Sequence, residues 1–154
     1  EAHLRGGERV IDYGCGSGIL AIAAGLLGAT SIEAIDIDPQ ALIATVQNAQ
    51  RNRVHLQTQS TRRQELAPAD VVLANILAAP LKLLAPTLEA LVKPGGHLVL
   101  AGLLTRQVEE VAGCYANIRL STWRDLDGWS VLVGQGKSAD HHESISQASR
   151  CIPQ

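Results

Sequence analysis

Residues 69–76, Ala-Asp-Val-Val-Leu-Ala-Asn-Ile, form an almost unbroken apolar run of strand length. A strand without polar alternation is buried on both faces, which happens almost only in a parallel sheet covered by helices. Residues 97–103 (HLVLAGL) make a second such run. Parallel neighbours need helical crossovers, and the chain supplies them by alternation. Strands are expected over 9–13, 31–37, 55–60, 69–76 and 97–103. Helices are expected over 19–27, 39–52, 77–91 and 105–116, with Pro86 kinking or splitting the third. Asp38 followed by Pro39 is a strong helix start. Residues 93–96 (KPGG) read as a turn. Strands over 118–126 and 129–134, joined by Asp127-Gly128, predict an antiparallel closing hairpin. The expected class is therefore α/β, a doubly wound, mostly parallel seven-stranded sheet with an antiparallel C-terminal edge.

A length of 154 residues suits one domain over residues 1–134. Residues 135–154 are polar and aperiodic and read as a disordered tail. No apolar run approaches the roughly 18 residues of a membrane span. A net charge of −2 without a basic block gives no footprint for nucleic acid. The three cysteines, Cys15, Cys114 and Cys151, are spaced for neither zinc nor a disulfide framework, and a reducing cytoplasm is the natural compartment. Asp140-His141-His142-Glu143 reads as a solvated run in the tail rather than a metal site. The chain contains no methionine.

In an open parallel sheet a ligand sits beyond the carboxyl ends of the strands. After the first strand comes Asp12-Tyr13-Gly14-Cys15-Gly16-Ser17-Gly18. Its three glycines let the backbone bend sharply and come close to a ligand. Two ligands compete for this loop. Residues 16–21 match the dinucleotide pattern G-x-G-x-x-A, which on its own points to NAD and an oxidoreductase. The longer frame, an acid followed by three alternating glycines, resembles the first motif of Rossmann-like methyltransferases that use S-adenosylmethionine. Asp12 fits a ligand with an ammonium and a sulfonium better than one with a pyrophosphate. Asp36, some twenty residues on at the end of the second strand, is placed to accept from ribose hydroxyls, while Asp38 caps the next helix. Asn75 ends the fourth strand, where it can hydrogen-bond an incoming amine or the cofactor.

The ordered segments DYGCGSGILAIAA, AIDIDPQAL, DVVLANILAAPL and LAPTLEALVKPGGHLVLAGLL, followed by a helix carrying Gln-x-Glu-x-Val, resemble the PrmA family. These are the methyltransferases of the eleventh large-subunit ribosomal protein. The likeness runs from about residue 9 to 134, and the DIDPQAL and ANILAAPL segments are its most specific part. The resemblance implies a Rossmann-like class I S-adenosylmethionine-dependent methyltransferase fold. It implies N-methylation of lysine and α-amino groups of that ribosomal protein, while charge, cysteine usage and the length of the apolar runs point to the cytoplasm with no direct nucleic-acid or membrane partner. It implies cofactor contacts at Gly14, Asp36 and Asn75, to which the residue reading adds Asp12, Gly16 and Gly18. Asn75 is also the candidate catalytic residue, orienting the amine. No side chain is expected to act as an essential base, and His55 and His97 read as strand residues. The departures are Ala101 for a more usual Ser, a shortened loop over 60–68, and Gly128-Trp129 for Glu-Trp. The family's N-terminal substrate-recognition domain has no counterpart in this sequence. The chain is therefore expected to be the catalytic domain, with a cofactor-binding fragment lacking independent activity as the alternative.

Overall fold

The computed structural model describes residues 4–61 and 66–138. Seven strands form one sheet in the order β3-β2-β1-β4-β5-β7-β6. They are β1 (Arg9–Tyr13), β2 (Ser31–Asp36), β3 (Gln57–Ser60), β4 (Ala69–Asn75), β5 (Val92–Leu104), β6 (Leu120–Leu126) and β7 (Trp129–Gln135). The first five pair in parallel, and β7 pairs antiparallel with both β5 and β6. The order reverses between β1 and β4, which places the switch point there.

Helices α1 (Ile19–Leu26) and α2 (Pro39–Arg51) lie on one face of the sheet. On the other lie α3 (Ala78–Leu83), α4 (Ala85–Ala90) and α5 (Val108–Ala112). Strand alternation decides which side chain faces which layer. Val72, Leu98, Leu100 and Leu132 point into the larger core with Leu81, Leu88, Val111 and Tyr115. A fully buried Leu or Ile of this kind contributes roughly 1.5–3 kcal/mol.

Local chemistry explains the element ends. The Asp38 carboxylate accepts from Gln40 N at 2.9 Å, and Pro39 opens α2. Pro86 splits the long helical stretch: Leu84 ends α3 and begins α4, with the proline in the first turn. Asp127 and Gly128 take positive φ values of 50° and 81°, the turn that matches the twist of a two-residue hairpin.

Three expectations need correction. Residues 93–96 are not a separate turn but a bulge inside β5. That strand advances from Val92 to His97 while β4 advances only from Ala69 to Val71. The bulge is held because Gly95 N donates to Gly136 O and Gly136 N donates to Gly96 O. The helix expected over 105–116 is shorter: a 3-10 turn, Thr105–Gln107, precedes the short α5. The expected tail begins too early, since β7 runs to Gln135 and Gly136 is paired. Residues 139–154, with Cys151 and the 140–143 cluster, lie outside the described residues, as do residues 62–65 of the loop thought to be shortened. Among the described residues no helix is long and apolar enough to cross a membrane.

Candidate functional site

Asp12, the glycine loop, Asp36 and Asn75 come together at the carboxyl ends of β1, β2 and β4, flanking the switch point. Three chain segments far apart in sequence thus share one end of the sheet.

The loop's shape is dictated from behind. Gly14, Gly16 and Gly18 have φ of 80°, 54° and 79°. Gly14 N and Cys15 N both donate to Ile35 O, at 2.7 and 3.0 Å, so the chain doubles back across the end of β2. A Cβ on Gly14 would collide with Ile76 Cγ2. Glycine is required there by packing as well as by the left-handed φ. Around Gly16 the case is different: a Cβ would meet nothing within 4 Å, so this is the open side of the loop.

Asp36 stands at that open side. Its Oδ2 accepts from Gly16 N at 2.9 Å and its Oδ1 from Asp38 N at 3.0 Å. The carboxylate therefore ties the glycine loop to the start of α2. Two backbone donors fix its orientation and leave further lone pairs for other partners.

Asp12 is placed differently from what a direct ligand contact requires. It is 1 % exposed, and its Oδ2 accepts from Ala21 N at 3.0 Å in the first turn of α1. Burial is the main cause that pushes its carboxyl up to about 6, with the charge of Asp36 adding to it. Asp12 thus braces the loop and helix from beneath.

Asn75 is exposed at the end of β4, paired in register with Ala101. A Cβ on Gly102 would lie 2.5 Å from Ile76 O and 3.0 Å from Asn75 Oδ1, so only glycine leaves the carboxamide its place. Beside Asn75 opens a pocket of about 470 Å³ bordered by Gly102, Arg124, Asp127, Trp129 and Ser130. Ser130 is buried and its hydroxyl bonds Thr105 Oγ1 and the Asp125 carboxylate, which fixes the turn end of the hairpin.

Two residues of α2 were not foreseen. Thr45, 0 % exposed, donates from Oγ1 to Gly16 O at 3.1 Å, and Asn48 donates from Nδ2 to Ser17 O at 2.9 Å. Their partners are backbone carbonyls of the glycine loop, which leave no signal in the sequence. Cys15 is buried and unreactive, its thiol pushed up to about 11 by burial. His55 precedes β3, and His97 pairs with Val71 early in β4, so both lie toward the opposite end of the sheet from Asn75. Among the described residues no group of histidine, cysteine or acidic side chains could hold a metal.

Comparison with known proteins settles the family. The sequence model described as "Ribosomal protein L11 methyltransferase (PrmA)" matches residues 1–137. The chain belongs to the PrmA family. A PrmA-family relative, the ribosomal protein L11 methyltransferase of Bordetella parapertussis, is 55% identical over 135 residues. That alignment takes in 87% of this chain and 44% of the relative, so the chain spans less than half the length of such relatives. The crystal structure of a ribosomal protein L11 methylase from Lactobacillus delbrueckii subsp. bulgaricus superposes with a TM-score of 0.82 at 30% identity. It covers 88% of this chain and 73% of that one. An RNA methyltransferase from Salinibacter ruber, solved with S-adenosyl-L-homocysteine, shares the PrmA fold at a TM-score of 0.66 and 22% identity, covering 92% and 85% of the two chains.

Proposed function

We propose that this chain is the S-adenosylmethionine-binding, methyl-transferring part of a ribosomal protein L11 methyltransferase, acting in the cytoplasm on lysine and α-amino groups of that protein. The observation that carries the reading is the gathering of Gly16, Asp36 and Asn75 at one end of the sheet in a PrmA-family chain. The residues suit the cofactor on their own chemistry. The flank of Gly16 is open, and beside it the Asp36 carboxylate keeps acceptor sites for a pair of ribose hydroxyls. Asp12 opposes the NAD reading, because its carboxylate already occupies an N–H in the first turn of α1. In dinucleotide sites that helix end receives a pyrophosphate, which a carboxylate repels.

When bound, S-adenosylmethionine supplies a methyl group on a sulfonium, already activated for displacement. The chain's part is to hold and orient. Asp36 fixes the ribose, and Asp12 acts through the loop it braces. Asn75 presents its carboxamide to an amine entering from the Trp129 pocket. The amine must be neutral to attack. For a lysine with a pKa of about 10.4, deprotonation at pH 7 costs roughly 4–5 kcal/mol. Desolvation in a pocket offsets part of this, since it disfavours the ammonium form. No side-chain base is assigned.

A second reading, a cofactor-binding part without turnover of its own, is kept because the relatives extend well beyond the matched region. Calorimetry with S-adenosylmethionine, S-adenosylhomocysteine and NAD, and methyl incorporation into purified ribosomal protein L11, test both. The expected result is binding of the two adenosyl ligands, no binding of NAD, and weak incorporation. Binding of NAD alone would overturn the reading. In a full-length relative, unchanged turnover after the Asn75→Ala change would remove Asn75 from the reaction.

A further inference from the structure

We propose that Thr45 and Asn48 of α2 are positioning residues for the cofactor, holding two carbonyls of the glycine loop so that the loop's free amide faces the ligand. The inference rests on the cofactor reading above and names residues beyond it.

Three hydrogen bonds converge on the turn at residues 16–17. Gly16 N donates to Asp36, Gly16 O accepts from Thr45 Oγ1, and Ser17 O accepts from Asn48 Nδ2. The Gly16–Ser17 peptide is planar and trans, so its carbonyl and its N–H point in opposite directions. Drawing Gly16 O back onto α2 therefore turns the Ser17 N–H away from the helix. Ser17 is exposed, and its N–H finds no acceptor among the described residues. The neighbouring amides are all occupied: Gly14 and Cys15 by Ile35 O, Gly16 by Asp36, and Gly18 by Cys15 O. Within residues 14–18 one outward donor is thus left, next to the Gly16 amide that Asp36 holds, ready for an oxygen of the ligand.

The Thr45 hydroxyl is well set for this task. It is fully buried and donates to Gly16 O, which leaves its lone pairs for the Cys15 thiol at 3.4 Å. Burial keeps that thiol protonated, and hence a donor. The sequence Cys15–Thr45–Gly16 O is a short relay in which each hydroxyl or thiol hydrogen has one destination. Packing makes the arrangement unforgiving: a Cβ on Gly18 would sit 2.8 Å from Thr45 Cγ2. Valine would preserve that contact and remove only the hydrogen bonds.

Calorimetry with S-adenosylhomocysteine on the 154-residue chain tests the proposal. Freeing Gly16 O from the Thr45 hydroxyl implies about a tenfold rise in Kd for Thr45→Val. Thr45→Ser, which restores the hydroxyl, is expected to recover near-native affinity. Asn48→Ala on the half-exposed helix face should weaken binding less, and it carries the test if Thr45→Val does not fold. Amide exchange on the ligand-free chain supplies a separate readout: Gly16 N–H should exchange faster in Thr45→Val. Native affinity and native exchange in both variants overturn the proposal, as does a Thr45→Ser protein as weak as Thr45→Val. Should the unaltered chain bind no adenosyl ligand while the variant still loosens Gly16, the clamp stands and the cofactor reading fails.

Discussion

Asp12 sits in a small conflict of forces. Its carboxylate gains a backbone donor from Ala21 but loses water, and the Asp36 charge lies nearby. Desolvation wins, and the carboxyl is pushed up to about 6. In the unfolded chain an aspartate titrates at about 3.9. Folding therefore takes up a proton between these values, and stability contributed by Asp12 is present below about pH 4 and lost as pH rises through 6. Asp12→Asn keeps an acceptor for Ala21 N and removes the charge. Urea denaturation at pH 4 and pH 7.5 should show the variant gaining about 2–3 kcal/mol over the native chain between the two. A constant difference across that range would mean that folding does not raise the Asp12 carboxyl above its unfolded value. At this scale the sequence singled out Asp12 and Asp36 but not how each carboxylate is held. An Asp at a strand end can face a ligand or turn beneath the next helix, and only the path of the loop decides.

Helix α2 links residue chemistry to the site. Asp38 caps it, Asp36 grips the amide of that capping residue, and Thr45 and Asn48 hold the glycine loop. Asp38→Ala removes the acceptor of Gln40 N and should cost about 1 kcal/mol, read as a lower urea midpoint with an unchanged slope. A loss no larger than for an exposed mid-helix alanine substitution would argue against the cap. This cap was legible from Asp38-Pro39 because its cause is local. So was the split at Pro86, and so was the Asp127-Gly128 hairpin. The β5 bulge was not legible, because it is stabilised by Gly136 some forty residues away. Nor were the bonds that Asn117 N and Ile118 N donate to the Glu89 carboxylate, which anchor the approach to β6 at a separation of 28 to 29 residues. Thr45 belongs to the same class: its partner is a carbonyl on a distant loop, and a carbonyl carries no side-chain signature.

A parallel sheet is stable when both faces are covered, and this one is covered unequally. Helices α3, α4 and α5 close one face, but on the other α1 and α2 reach only part of the way. Leu73, Val99, Val131 and Val133 on that face are only half-buried. With Leu20 and Ala23 of α1, Leu27 just past its end and the indole of Trp123 they line an apolar groove of about 210 Å³. Trp123 is 58% exposed and Leu26 and Leu27 are 65% and 40% exposed, so the groove continues onto the outer surface of α1. A contiguous apolar surface of this kind binds apolar solutes and promotes association. The isolated chain should enhance the fluorescence of an anilinonaphthalene dye, and the dye should shift the emission of Trp123. Leu27→Lys places a charge at the groove without touching a buried contact of the larger core, and should reduce dye binding severalfold while leaving the melting temperature within a few degrees. Trp129, which alternates with Val131 along β7 and borders the Asn75 pocket, provides the control. If Trp129→Phe suppresses the dye signal and Leu27→Lys does not, the apolar surface that matters lies at the functional end of the sheet rather than beside α1.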